Sequence, residues 1–223
     1  MRSVAGGTDD LIERLVAEAR PVRRLRPPLR RAALWLLIVA VAAGTAIAIF
    51  TDWPVFVQRA QDMRLVIEMI ATLATGMAAV VAAFELSLPD RPRRWLLLPL
   101  PALALWLASS GYGCYRHWLT AGPSGWELGE SAHCFRFILG ASLPLGVSLL
   151  IALRRATPLA PLPVGAAGGL GVGALAAFAL QFFHPFDVTV MDLAVHAVAV
   201  GLVVSATSAA QRMAAPERLA PSS

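Results

Sequence analysis

Five side chains with thiol or soft-ligand chemistry fall close together in this chain: Cys114, His117, His133, Cys134 and His184. Cys114-x2-His117 is an acceptable chelate spacing, and the adjacent His133-Cys134 can add ligands to a tetrahedral, zinc-like site. In an oxidising compartment Cys114 and Cys134 could instead close a disulfide across a loop of about twenty residues. A plainer reading treats each cysteine as a small apolar residue buried at a helix end. The spacing matches no fixed metal fingerprint. A redox-responsive thiol pair, a metal-binding switch, a structural disulfide and simple packing therefore all stay open, and no cofactor is required.

A second group is ionisable and lies at or near membrane depth: Glu68, Arg136, Asp192 and His196. An unpaired charge there is expensive, so each needs a partner or a task. Asp192 and His196 are four apart and share a helix face. Glu68 and Arg136 both fall near the outer ends of their spans and could pair. A proton or ion path is one use of such groups; polar glue inside a helix bundle is the expected one. A serine–histidine–aspartate order, a phosphate-binding glycine loop and H-E-x-x-H are all missing, so the chain does not read as an enzyme.

The elements that must hold these groups are membrane spans. The chain has 223 residues, 57% of them hydrophobic and 15% charged, with a mean hydropathy of +0.66. Six apolar blocks are long enough to cross a hydrocarbon core of about 30 Å: Ala32–Phe50, Leu65–Phe84, Trp95–Gly111, Cys134–Leu153, Leu159–Phe183 and Val188–Ala209. Tryptophans 35, 53, 95, 118 and 126 lie near block ends, as an aromatic belt requires. The predicted fold is all-α and polytopic, in three parts: a tail over 1–31, a six-helix domain over 32–209 and a tail over 210–223. Ala46-Ile47-Ala48 resembles a signal cleavage site, but the block is longer than a usual signal core and a long tail precedes it. Gly165, Gly169 and Gly173 form a small-x3-small face that permits close helix approach.

Charge sets the orientation. The formal charge of +5 rests on arginine, because lysine is absent. Fifteen of the 19 arginines fall in the two tails or in the connections between spans 2 and 3 and between spans 4 and 5. Only Arg59, Arg64, Arg116 and Arg136 lie on the other side. The positive-inside bias then puts both termini in the cytoplasm of a bacterial inner membrane. Anionic lipid headgroups explain these arginines better than direct nucleic-acid binding does.

The N-terminal tail is itself an expected binding element. Thr8 is placed to cap a helix, with Asp9 and Asp10 at the positive end of its dipole. Leu11, Leu15 and Ala19 recur every four residues, joined by Ile12 and Val16, while Glu13, Arg14 and Glu18 cover the other face. Pro21 ends the pattern, and Pro27-Pro28 predicts an extended approach to the membrane. Three turns of helix are not stable alone in water, so this segment must dock on something. The membrane surface, the cytoplasmic ends of the spans and a soluble partner are the candidates. Its acidic polar face suits a protein surface, its own bundle or a partner, better than lipid.

The run Thr8-Asp9-Asp10-Leu11-Ile12, then Pro21-Val22-Arg23-Arg24-Leu25-Arg26-Pro27-Pro28, ahead of six spans, resembles the NrsF family of bacterial transmembrane anti-sigma factors. The likeness continues through Arg93-Arg94-Trp95-x3-Pro99-x-Pro101, Gly113-Cys114, His133-Cys134-Phe135 and His196. It implies that the tail, through Asp9, Asp10, Leu11, Ile12, Leu15, Val16, Pro21, Arg23, Arg24 and Leu25, holds an extracytoplasmic-function sigma factor until an envelope or stress signal releases it. One departure matters: where the family often has cysteine before a proline between spans 5 and 6, this chain has His184-Pro185. A sensor using that cysteine would here need a different pair or a metal. The alternative function is a small ion-coupled transporter using Glu68, Asp192 and His196. Internal repeats are a usual mark of such proteins, and none relates residues 32–111 to 134–209.

Overall fold

A run of twenty or more apolar residues in hydrocarbon must satisfy its own backbone, and the helix is the single-segment way of doing so. The computed structural model describes residues 5–18, 25–121, 128–154, 156, 160–183 and 190–214. Among them there are helices and no strands. The order is α1 (Ala5–Glu18), α2 (Pro28–Phe50), α3 (Trp53–Arg59), α4 (Met63–Leu86), a 3₁₀ turn (Arg93–Leu97), α5 (Leu100–Ala121), α6 (Leu128–Arg154), α7 (Pro161–Phe183) and α8 (Val190–Ala214). Six segments are long and apolar enough to cross a membrane, built on α2 and α4 to α8, the third including the 3₁₀ turn.

The expected spans are all present, but several run further. Helix α2 starts at Pro28, so the second of the two prolines is its first residue and not part of an extended approach. Proline fits there because first-turn N–H groups have no intrahelical partner. Helix α5 continues ten residues past Gly111, carrying Cys114 and His117 on its last turns. Gly111 and Gly113 do not stop it, since an interior glycine costs only about 1 kcal/mol. Helix α6 begins six residues before Cys134 and contains Pro144. In α1, Thr8 lies inside the helix and does not cap it, because Ala5-Gly6-Gly7 extend it upstream. Short α3 was not expected, although its signal is in the sequence. Asp52 caps it by accepting from the Val55 N–H at 3.3 Å, with Pro54 in its first turn.

Helix α7 is the centre of the bundle, packing on α8, α4 and α6. It is apolar all round, as a fully enclosed helix should be. A Cβ at Gly165 would lie 2.5 Å from the Ser208 Cα, and one at Gly169 would lie 2.6 Å from the Val204 Cα. The small-x3-small face therefore meets the α8 backbone directly, and the Thr207 hydroxyl donates across the seam to the Gly165 carbonyl at 2.9 Å. On another face, Gly171 and Gly76 bring α7 close to α4, where a Cβ at Gly171 would lie 3.0 Å from the Val80 nitrogen.

Helix α2 is the most loosely held span. Its buried residues, Pro28, Ala32, Trp35 and Val39, all lie in its first half, while Val41, Ile49 and Phe50 face outward. At this near end of the bundle, Arg31 Nη2 donates to the Ala152 carbonyl at 2.6 Å, and the guanidinium lies 5.2 Å from the Phe84 ring centre. Trp35 Nε1 donates to Ser148 Oγ at 3.1 Å. The first turns of α2 are thereby fastened to α6 and α4. Helix α1 makes no substantial contact with the bundle among the described residues.

Candidate functional site

At the far end, where α2 finishes, polar side chains from five helices converge. Arg64 stands in the first turn of α4, whose start Asp62 caps by accepting from the Arg64 N–H at 2.9 Å. One turn on, Glu68 Oε2 takes Arg64 Nη1 at 3.0 Å. Its other oxygen accepts from Ser110 Oγ of α5 at 2.8 Å. Gly113 makes room for this pair, because a Cβ there would lie 2.5 Å from Arg64 Nη1. Both carboxylate oxygens of Glu68 are satisfied, which is what makes a buried acid tolerable at this depth.

The network extends to α7 and α3. The Thr72 hydroxyl donates to the Glu68 carbonyl at 2.6 Å, Gln181 Nε2 donates to Thr72 Oγ1 at 3.4 Å, and Arg59 Nη1 donates to the Gln181 carbonyl at 3.2 Å. On α8, Asp192 is buried and its main-chain carbonyl lies 2.6 Å from His196 Nδ1. A carbonyl only accepts, so Nδ1 carries the proton of that bond. Cys114 is buried within electrostatic reach of Glu68, Asp192 and Arg64. Of these groups, Arg59, Arg64, Glu68, Ser110, Gln181 and His196 line a cavity of about 150 Å³ between α4, α5, α7 and α8.

Several expected partnerships are not those observed. Arg136 does not meet Glu68: it is exposed, and its Nε donates to the Ala132 carbonyl at 3.2 Å. The reason is that α6 packs on α8 and α7, whereas Glu68 faces α5. Asp192 and His196 do share a face, with the imidazole hydrogen-bonded to the aspartate main-chain carbonyl. Cys114 and Cys134 are not joined in a disulfide. Cys134 is buried among Ile138, Ala176, Leu180 and Ala199, an apolar setting on a helix that does not pair with α5. His133 is exposed. Among the described residues no three histidine, cysteine or acidic side chains are placed to hold a metal. The His117 side chain and all of His184 lie outside the described residues.

In the tail, Leu11, Ile12, Leu15 and Val16 are all more than half exposed along one stripe of α1. Asp9 is exposed, and Asp10 pairs with Arg14 at 2.9 Å in the open. Leu25 is exposed just ahead of α2. Pro21, Arg23 and Arg24 lie outside the described residues. Sequence reasoning missed Arg64, Ser110 and Gln181. The four-residue spacing of Arg64 and Glu68 was a usable signal, whereas nothing local marks Ser110 or Gln181.

A bundle of six apolar helices long enough to cross a membrane, with buried charge tied up in hydrogen bonds, defines a polytopic helical membrane protein. The chain belongs to the NrsF family, negative regulator of sigma F, which it matches over residues 15–219. It is therefore a negative regulator of a sigma factor. The match starts inside α1, so the run from Thr8 to Ile12 precedes it. No curated protein and no solved structure matches the chain.

Proposed function

We propose that this protein is an inner-membrane anti-sigma factor that holds an extracytoplasmic-function sigma factor through its N-terminal tail. The observation that carries this reading is the apolar stripe of α1: Leu11, Ile12, Leu15 and Val16 stand exposed and unpacked against the bundle. An amphipathic helix of this length needs a surface to lie on, and a groove on a partner protein is the usual one. In this reading the tail over 1–31 contacts the sigma factor. Asp9 and Asp10 flank the stripe, and Pro21, Arg23, Arg24 and Leu25 continue the contact towards the membrane.

Residues 32–209 form the membrane domain, and both termini, including 210–223, face the cytoplasm. The arginine distribution supports that orientation. The opposite end then faces outward and receives an envelope, redox or metal signal through Cys114, Cys134, His117, His133 and His184. Cys114 suits this role because modifying it would disturb the neighbouring Arg64–Glu68 pair. For release, the signal must favour one bundle state over another, since equal binding to both shifts nothing. The transporter alternative is weaker: below Glu68 and His196 the cavity wall turns apolar, at Trp106, Leu170 and Val200.

Deleting residues 1–20 tests the proposal. Genes under the sigma factor should rise to the level seen without the regulator, while the truncated protein still inserts in the membrane. Unchanged expression with normal insertion would reject the tail as the binding element.

A further inference from the structure

At the near end of the bundle a groove of about 640 Å³ opens between the first turns of α2 and the last turns of α6. That volume falls in the range of roughly 300–1,000 Å³ that molecular ligands occupy. The rim of the groove is basic. Arg26 is exposed just ahead of α2 and makes no ion pair among the described residues. Arg31 stands in the first turn of α2, where its bond to the Ala152 carbonyl and its place over Phe84 fix the position of its charge. No carboxylate lines the groove among the described residues, and the neighbouring acid on α4, Glu85, is engaged by Arg91 at 3.1 Å. Deeper in, the wall turns apolar: Leu34, Ile38 and Ile151 line it, and each is more than half exposed. Trp35 stands between the two levels, its indole donating to Ser148. From Arg31 to Ile38 the helix rises about 10 Å, so one molecule with an anionic head and an apolar chain spans both.

We propose that this groove binds an anionic phospholipid, its phosphate against Arg26 and Arg31 and the upper part of one acyl chain along Leu34, Ile38 and Ile151. A guanidinium takes two phosphate oxygens in one fork, and basic pockets between spans select anionic headgroups. The apolar wall disfavours two other occupants. A free phosphate would leave it uncovered, and α1 would carry Glu13 and Glu18 to hydrocarbon depth. The lipid would bridge α2 to α6, and so stabilise the docked arrangement of the span that carries the tail. The site is independent of what the tail binds.

Photo-crosslinking of the full chain in phosphatidylcholine vesicles tests it, with a trace of phosphatidylglycerol or phosphatidylcholine carrying a diazirine in the acyl chain. Mass spectrometry of the peptides then locates the label. It should concentrate at Leu34, Ile38 and Ile151, and be at least about fivefold greater from phosphatidylglycerol than from phosphatidylcholine, the worth of one arginine near the surface. Arg26→Gln, a change at an exposed side chain, should bring that preference down to about twofold or less. Arg26→Lys, which keeps the charge, should retain most of it. Inorganic phosphate in the buffer should not displace the label, and deleting residues 1–20 should leave it unchanged. Displacement by phosphate would reveal a site for a bare anion, and label appearing only after the deletion would show that the tail fills the groove; either overturns the proposal. So would equal label from the two lipids, label spread evenly over the lipid-facing surface, or an undiminished preference in Arg26→Gln.

Discussion

Arg64 shows how one side chain can serve three neighbours at once. It closes the ion pair with Glu68, approaches Asp62 at 3.6 Å, and rests on the bare backbone of Gly113. Removing one member of a buried pair leaves the other charge uncompensated, which is worse than never having had the pair. Arg64→Gln should therefore destabilise the bundle by about 3 kcal/mol, read as a shift in the detergent-denaturation midpoint. A change within experimental error would mean that solvent reaches Glu68. The two cysteines make a second residue-scale case. Both are buried, Cys134 at 0% exposure, and thiol reactivity requires access. A water-soluble maleimide should label denatured protein fully and folded protein slowly at both positions, by mass spectrometry. If either thiol reacts at once, it belongs on the surface. The pairing of Arg64 with Glu68 was legible from their spacing. The choice of Ser110, 42 residues away, as the other partner was not, because it depends on how α5 is rotated against α4.

At the scale of elements, α7 and α2 are opposites. Helix α7 is held on several sides by backbone-close seams, and its glycines were correctly read as packing residues. Gly169→Leu would drive a side chain into the Val204 backbone and the Thr207 hydroxyl. Overpacking of this kind costs about 1–3 kcal/mol where the neighbours can shift; here the neighbour is backbone, so loss of folded protein from the membrane fraction is expected. Gly201→Leu on α8, where nothing lies within 4 Å, should leave folding intact. Equal tolerance of both would contradict the seam. Helix α2, by contrast, is tied down only in its first half. From Ala33 to Phe50 an apolar crevice runs between it and α4, α6 and α7. A span attached at the end where the tail joins, and loose at the other, is mechanically suited to passing a displacement between the two ends.

For the whole molecule, orientation governs the proposed function, in which the tail reaches a sigma factor and the far end faces the signal. With both ends inside, an alkaline phosphatase fused after residue 125 should be active and one fused after residue 215 inactive. The reverse pattern would place the tail outside and exclude sigma-factor binding. The arginine asymmetry between the two sides supports that direction, while the helix packing alone carries no sidedness. The bundle adds the physical link between the ends: α4 and α5 hold the Arg64–Glu68–Ser110 cluster at one end, and α4 offers Phe84 to Arg31 at the other.

Hydrophobic run length alone determined the six spans, since a segment of twenty apolar residues has no good alternative to a membrane helix. Glycine spacing alone determined the α7 seam, and four-residue periodicity the stripe on α1. Span ends were less legible, as at α5, because polar residues such as Tyr115 and Arg116 extend a helix as readily as they end one. Partner choice was decided only in three dimensions. Arg136 and Glu68 fall at one end of the bundle by sequence, yet the rotation of α6 turns Arg136 outward and that of α5 brings in Ser110. Cys114 and Cys134 likewise share an end but not a setting: one lies beside buried charge and the other in an apolar core. Sequence fixes the depth of a residue along a span; its azimuth, and hence its neighbours, follows from which helices pack together.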